Sequence, residues 1–142
     1  MFDKKAMKFQ ARVVALAKRR LGVKCEGSEA EPYLDMLYAE YQEAGEPQDV
    51  DTWVTERLKK DYLCVSTPPQ WIEDEPIWPF FRGKPMVFIS QTRLPKNEVT
   101  ENHLTWDVVV YLFGARAPAG DGYRIEYKAV MQIEGIDGSG FR

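Results

Sequence analysis

The chain has 142 residues, 44% of them hydrophobic and 13% aromatic, with a net charge of −3. This length and apolar content suit one folded domain with its own core and exclude a disordered chain. The apolar runs are only a few residues long, Val108 to Phe113 being the clearest, so no transmembrane helix is encoded.

The net charge hides an asymmetry. Residues 1–24 carry eight basic residues and one acid, a net of +7, whereas residues 25–61 carry eleven acids and three bases, a net of −8. Mutual packing of the two segments is the simplest reason for such neighbours. The charged N-terminus has no apolar stretch or cleavage pattern of a signal peptide, so a cytoplasmic location is expected. Cys25 and Cys64 are far apart in sequence and are expected as thiols in a reducing compartment.

Taken in chain order, the first element is a helix from about Lys4 to Leu21. Asp3 is its N-cap, and Ala6, Phe9, Val13, Leu16 and Ala17 form one apolar stripe. Lys18, Arg19 and Arg20 suit the carbonyl end of the dipole, and Gly22 ends the helix. A second helix opens with Ser28-Glu29-Ala30-Glu31, a capping box in sequence form, with Pro32 in the first turn. Its apolar face is Tyr33, Leu34, Leu37, Tyr38, Tyr41 and Ala44, and Gly45 and Pro47 stop it. A third helix, capped by Asp49 or Asp51, runs to about Lys60 with Val50, Trp53, Val54 and Leu58 inward.

The period then changes. Tyr62–Val65 is a short strand candidate, and Met86–Gln91 reads as a strand entered through Pro85. Leu94 to Asn97 is a loop, and Trp106–Phe113 is apolar on both faces like a central strand. Tyr123, Ile125, Tyr127, Ala129, Met131 and Ile133 alternate with Arg124, Glu126, Lys128 and Gln132, which predicts a long strand with one wet face. Pro118 to Gly122 between the last two strands is hairpin chemistry. The fold class expected is therefore α+β: three N-terminal helices, then an antiparallel sheet of about four strands. The expectation is a single domain over 1–142, with a helical part at 1–61, a sheet part at 62–134 and a flexible glycine-containing tail at 135–142.

The stretch Trp71-Ile72-Glu73-Asp74-Glu75-Pro76-Ile77-Trp78-Pro79-Phe80-Phe81 is rich in aromatics and prolines. Its prolines bias their predecessors toward extended geometry, and Gly83 permits a sharp turn. It reads first as an extended lid closing a sheet edge. Trp78-Pro79, Gly83 to Gln91, Leu94-Pro95 and Val110-Tyr111-Leu112-Phe113 resemble the WP…G-x-P-(L/M)-x-F-(I/L/V)-x-Q…Y-(L/F)-F pattern of the YwqG-like (DUF1963) family over roughly residues 68–131. The resemblance implies a β-rich bacterial domain, with a link to toxins and their immunity proteins and no catalytic residue to transfer. The helical first third and the short chain depart from that pattern.

The chemical constellations are sparse. His103, with Asp107, Glu98 and Glu101 nearby, suggests a base or metal ligand but reads better as a lone histidine in a polar loop. Glu73-Asp74-Glu75 is a solvated run, because successive carboxylates of an extended segment diverge. Neither Ser66, Ser90 nor Ser139 has a nucleophile-elbow context, and there is no phosphate loop, dinucleotide fingerprint or metal-ligand spacing. No catalytic residue, metal or cofactor is assigned, and the reading leans against an enzyme. Nucleic-acid binding through Lys4, Lys5, Lys8, Arg12, Lys18, Arg19 and Arg20 is disfavoured by the acidic chain. The leading expectation is a non-enzymatic protein-binding domain, an immunity or regulatory protein. Its acidic helical face, with Glu40, Glu43, Tyr38 and Tyr41, would meet a basic partner such as a toxin. The alternative is a small-ligand or enzymatic pocket between the sheet and the Trp71–Phe81 segment, lined by Trp71, Trp78 and Phe80. No membrane partner is expected, and the oligomeric state is left open.

Overall fold

The computed structural model describes residues 3–72, 74–94 and 108–133. It is α+β, three helices followed by antiparallel strands, and divides into two units. One unit comprises residues up to Leu63 together with Glu75–Met86; the other comprises Cys64–Asp74 and the chain from Val87.

In the helical unit, α1 spans Lys4–Leu16 and continues as a π-helical turn, Ala17–Leu21. Asp3 caps it through Oδ1, which accepts from the amides of Lys5 at 3.0 Å and Ala6 at 3.2 Å. Gly22 closes the turn at φ 68°, a left-handed position that favours glycine. The Ser28–Ala30 segment forms a 3₁₀ turn ahead of α2 (Glu31–Glu43), and neither carries a side-chain cap, so the predicted capping box is not made. Helix α3 (Val50–Asp61) is capped by Asp49, whose carboxylate takes the amide of Thr52 at 3.1 Å and its hydroxyl at 2.8 Å.

The basic and acidic helices do pack on one another. Arg12 reaches Asp51 at 2.6 Å, Arg19 reaches the same carboxylate at 3.8 Å, and Gln10 donates to Asp35 at 2.8 Å. Beneath these polar contacts lie the buried side chains Phe9, Val13, Leu16, Tyr33, Leu37, Val54 and Leu58. The charge asymmetry is thus partly spent inside this unit.

The same unit holds a minimal hairpin, β1 (Phe80–Phe81) and β2 (Lys84–Pro85), turning at Arg82-Gly83. Both turn residues have positive φ, 51° and 77°, the requirement of a tight two-residue hairpin. Only the second is a glycine; the Arg82 guanidinium lies 5.3 Å from the Phe81 ring centre.

In the sheet unit, β3 (Val87–Leu94), β4 (Val108–Ala119) and β5 (Gly122–Ile133) form an antiparallel meander in that order. β4 and β5 pair without a break from Val108↔Ile133 to Ala119↔Gly122, and Gly120-Asp121 makes the turn. β3 has one bulge between Phe88 and Ser90. The predicted strand at Tyr62–Val65 is reduced to one parallel bridge, Cys64 to Phe88. The predicted loop from Pro95, the start of the third predicted strand at Trp106, and the tail lie outside the described residues.

Side chains alternate between the two faces of this sheet. Val109, Tyr111, Phe113 and Ala117 of β4 share one face and are all buried. Gln132 of β5, opposite Val109, is buried on that face too. The other face takes Val108, Val110, Leu112 and Gly114 of β4 with Ile125, Tyr127, Ala129, Met131 and Ile133 of β5. The pattern predicted a strand with one wet face. The structure leaves the apolar side of β5 exposed along its length, while on the polar side Gln132 is buried and Arg124 and Lys128 are exposed.

Candidate functional site

The two sets of predicted binding residues are placed as follows. On α2, Tyr41 is 8% exposed; its hydroxyl donates to the Pro47 carbonyl at 2.6 Å and its ring stacks on Phe9 at 4.9 Å. Tyr38 is half-buried, 5.2 Å from the same Phe9 ring. Both tyrosines border a groove of ≈ 290 Å³ whose other walls include Lys5, Lys8 and Arg12. Their surroundings are therefore of mixed charge, since Glu46 also lines the groove and burial together with Asp3 and Glu46 raises the Tyr38 hydroxyl. Glu40 lies elsewhere on the helix and is ion-paired with Arg57, which also reaches Asp61 at 3.2 Å. Tyr33 donates to the same Asp61 at 2.8 Å. Glu43 is exposed. The four residues thus do not converge on one acidic aromatic patch, because the i, i+3, i+4 spacing that makes Tyr38 and Tyr41 aromatic neighbours turns them onto α1.

Trp78 and Phe80 belong to the helical unit. Trp78 is 1% exposed; its indole N–H donates to the Met86 carbonyl at 2.8 Å, and its ring lies 5.2 Å from Tyr62. Phe80 is buried 5.5 Å from Tyr33. Trp71 belongs to the sheet unit, half-buried with its ring 4.6 Å from that of Tyr111.

Behind Trp71 the sheet holds a polar clasp. The Tyr111 hydroxyl donates to Gln132 Oε1 at 2.7 Å, and the Ile72 amide donates to the same oxygen at 3.1 Å. Gln132 Nε2 donates in turn to the Asp74 carbonyl at 2.9 Å. The described residues Gln70, Trp71, Ile72 and Asp74 belong to no strand ladder, so their backbone groups need partners. A glutamine with both donor and acceptor supplies them. This is why a polar residue sits on the covered face of β5.

The consequence is a surface that sequence reasoning missed. On the opposite face, Tyr127 is 62% exposed, Met131 66% and Tyr123 56%, with Ile125, Ile133 and Leu94 of β3 also exposed. Val110 and Leu112 lie half-buried among them. Ile89 and Ile125 close over Gly114, where an added Cβ would come within 2.8 Å of the Ile89 Cδ1 and 3.3 Å of the Ile125 Cγ2. The one charge along the β4 and β5 part of this face is Arg116, whose guanidinium stacks 4.3 Å from the Tyr123 ring centre. The sequence signal was the six-residue apolar alternation of β5. Alternation marks two faces but does not say which one the rest of the chain covers.

Reactive chemistry is thin. Burial pushes the Cys25 thiol up to about 11 and also raises Cys64. A raised thiol is a poor nucleophile at neutral pH. Burial raises the Tyr33 and Tyr62 hydroxyls strongly as well. Asp49 is held below its ordinary value by the Thr52 hydroxyl and amide that it accepts. Among the described residues no three of His, Cys, Asp and Glu gather as metal ligands, and no helix is long and apolar enough to cross a membrane. His103 and its acidic neighbours Glu98, Glu101 and Asp107, together with Glu73, lie outside the described residues. In comparisons with known proteins, no family model, no curated protein and no solved structure matches the chain.

Proposed function

We propose that this chain is a protein-binding domain without catalytic activity, and that its partner docks on the apolar face of the β3–β4–β5 sheet. The observation that carries the reading is the row of Tyr123, Ile125, Tyr127, Met131 and Ile133, all exposed along one side of a 12-residue strand. Contiguous apolar surface of this kind, with two tyrosines and a methionine, is the composition of a protein interface more than of a solvated face. The partner that fits is a protein with an apolar surface and a carboxylate near one end, where Arg116 waits over Tyr123. An immunity or regulatory role belongs to this class, and the YwqG-like resemblance over residues 68–131 falls largely on the strands concerned.

The acidic helices fit less well as the docking surface. Glu40 is engaged by Arg57, Tyr41 is buried, and Lys5, Lys8 and Arg12 border the tyrosine groove. A basic partner would meet three cations beside one carboxylate, Glu46, there.

The test compares two variants of the tagged chain in a native extract. Met131→Glu with Leu94→Glu places charge at two exposed sites on the face; Glu40→Lys with Glu43→Lys reverses the helical charge. The reading expects the first pair to lose a partner that the wild type retains and the second pair to keep it. Loss with the helical pair alone would overturn it.

A further inference from the structure

The two edges of the sheet differ. The outer edge of β3 is occupied: the Val65 amide donates to the Phe88 carbonyl at 2.8 Å, and the Gln91 side-chain amide bonds both the Gln70 amide at 2.8 Å and its carbonyl at 3.0 Å. The outer edge of β5 has no strand or segment against it among the described residues. β5 has no proline and no bulge over its 12 residues, and its edge protection is confined to the charges of Arg124, Glu126 and Lys128.

The register says which backbone groups face that edge. In a hairpin with a two-residue turn, the residues flanking the turn, here Ala119 and Gly122, form a hydrogen-bonded pair. Pairs then alternate, so Tyr123, Ile125, Tyr127, Ala129 and Met131 sit in the non-hydrogen-bonded pairs with β4. Pro118, which has no N–H to give, lies opposite Tyr123 as this requires. These five residues therefore aim their N–H and C=O groups outward, away from β4.

We propose that β5 pairs antiparallel with β5 of a second copy, centred on Tyr127, to make a continuous six-stranded sheet. A two-fold axis must bring outward-facing residues opposite each other, which leaves few registers. Centring on Glu126 opposes Glu126 to itself and Arg124 to Lys128; centring on Lys128 opposes Lys128 to itself; centring on Ile125 opposes Arg124 to the partner's Glu126 twice but pairs only Tyr123, Ile125 and Tyr127 among the outward-facing residues, a shorter ladder. Centring on Tyr127 puts Glu126, whose Oε1 also accepts from Arg124 of its own strand at 3.0 Å, opposite the partner's Lys128 twice, in pairs where side chains approach most closely. It also opposes Ile125 to the partner's Ala129 and Tyr123 to the partner's Met131, and makes about ten backbone hydrogen bonds. The apolar faces of the two sheets then run on into one another. The edge and the face are separate surfaces, so this proposal stands independently of the function proposed above.

The experiment is sedimentation velocity on the purified chain across a concentration series. The wild type is expected to shift from 16.4 kDa to twice that mass. Glu126→Lys and Lys128→Glu, at a half-buried and an exposed position on the Gln132 face of β5, are each expected to weaken self-association by about tenfold or more, because like charges then face each other. Mixing the two variants restores opposite charges at both positions, so a heterodimer is expected from two proteins that are monomeric alone. A wild type that stays monomeric at high concentration, variants that still dimerise alone, or a mixture that stays monomeric would each overturn the proposal.

Discussion

The hydroxyl of Tyr111 donates a 2.7 Å hydrogen bond to Oε1 of Gln132, and both side chains are buried in the sheet unit. The contact holds the Gln132 amide where the Ile72 amide and the Asp74 carbonyl bond it, on the covered face of β5. Tyr127 and Met131 lie on the open side.

Removing the clasp should cost stability. Gln132→Leu removes the side-chain donor to the Asp74 carbonyl and leaves the Ile72 amide with only the Tyr111 hydroxyl, at 3.2 Å, and the Tyr111 hydroxyl with the weaker Gln70 carbonyl, at 3.3 Å, and should lower unfolding free energy by about 1–3 kcal/mol. Tyr111→Phe should cost about 1 kcal/mol. Urea denaturation measures both. A gain in stability from Gln132→Leu would mean that the clasp does not hold the segment.

Trp78 tests the packing role of the aromatic stretch. Trp78→Ala should cost about 3–5 kcal/mol, as expected for a fully buried large side chain. Trp78→Phe keeps most of the ring contact with Tyr62 but loses the donor to the Met86 carbonyl, and should cost about 1–2 kcal/mol. Thermal melts followed by near-ultraviolet circular dichroism distinguish the two. A melting temperature unchanged in Trp78→Ala would place the indole outside the core.

The buried thiol gives a pH dependence with a defined sign. Cys25 titrates near 11 when folded and near 9.0 when exposed. Below pH 9 both states hold the proton, so the thiol contributes no slope. Between pH 9 and 11 the unfolded thiol ionises and the folded one does not, so stability falls, by about 2–3 kcal/mol in all. The raised Tyr33 and Tyr62 hydroxyls act in the same direction above pH 10. Cys25→Ala should flatten the pH 9–10 part of the curve. In the native state at pH 8, a thiol reagent should label the half-buried Cys64 well before Cys25. Equal labelling rates would contradict the burial.

The helices were legible because their signals are local. Asp3, Gly22 and Asp49 act at the helix ends where their chemistry places them, and Phe9, Val13 and Leu16 face inward at helical spacing. The β3, β4 and β5 strands were legible for the same reason, as was the turn before Lys84-Pro85, but the strand expected at Tyr62–Val65 is a single bridge and Leu94, expected in a loop, ends β3. What stayed hidden depends on distant partners. Whether Gln132 or Met131 is covered is decided by the backbone of residues 70–74, some sixty positions away in sequence. Tyr38 and Tyr41 showed the right face but not its neighbours, and the cations beside them come from α1. Ser28 met the pattern of a capping box, yet a 3₁₀ turn starts there and shifts the helix start to Glu31.

The most direct measurement of the central claim places a photo-crosslinking amino acid at one site per chain, at Leu112 in the middle of the open sheet face or at Glu43 on the acidic helix. Leu112 lies on β4, away from the strand edge where a second copy would pair. After irradiation in the native cell, Leu112 is expected to trap a different protein in an adduct that disappears when Met131→Glu is added, and Glu43 is expected to trap none. An adduct from Glu43 with none from Leu112 would move recognition back to the helices and contradict the account.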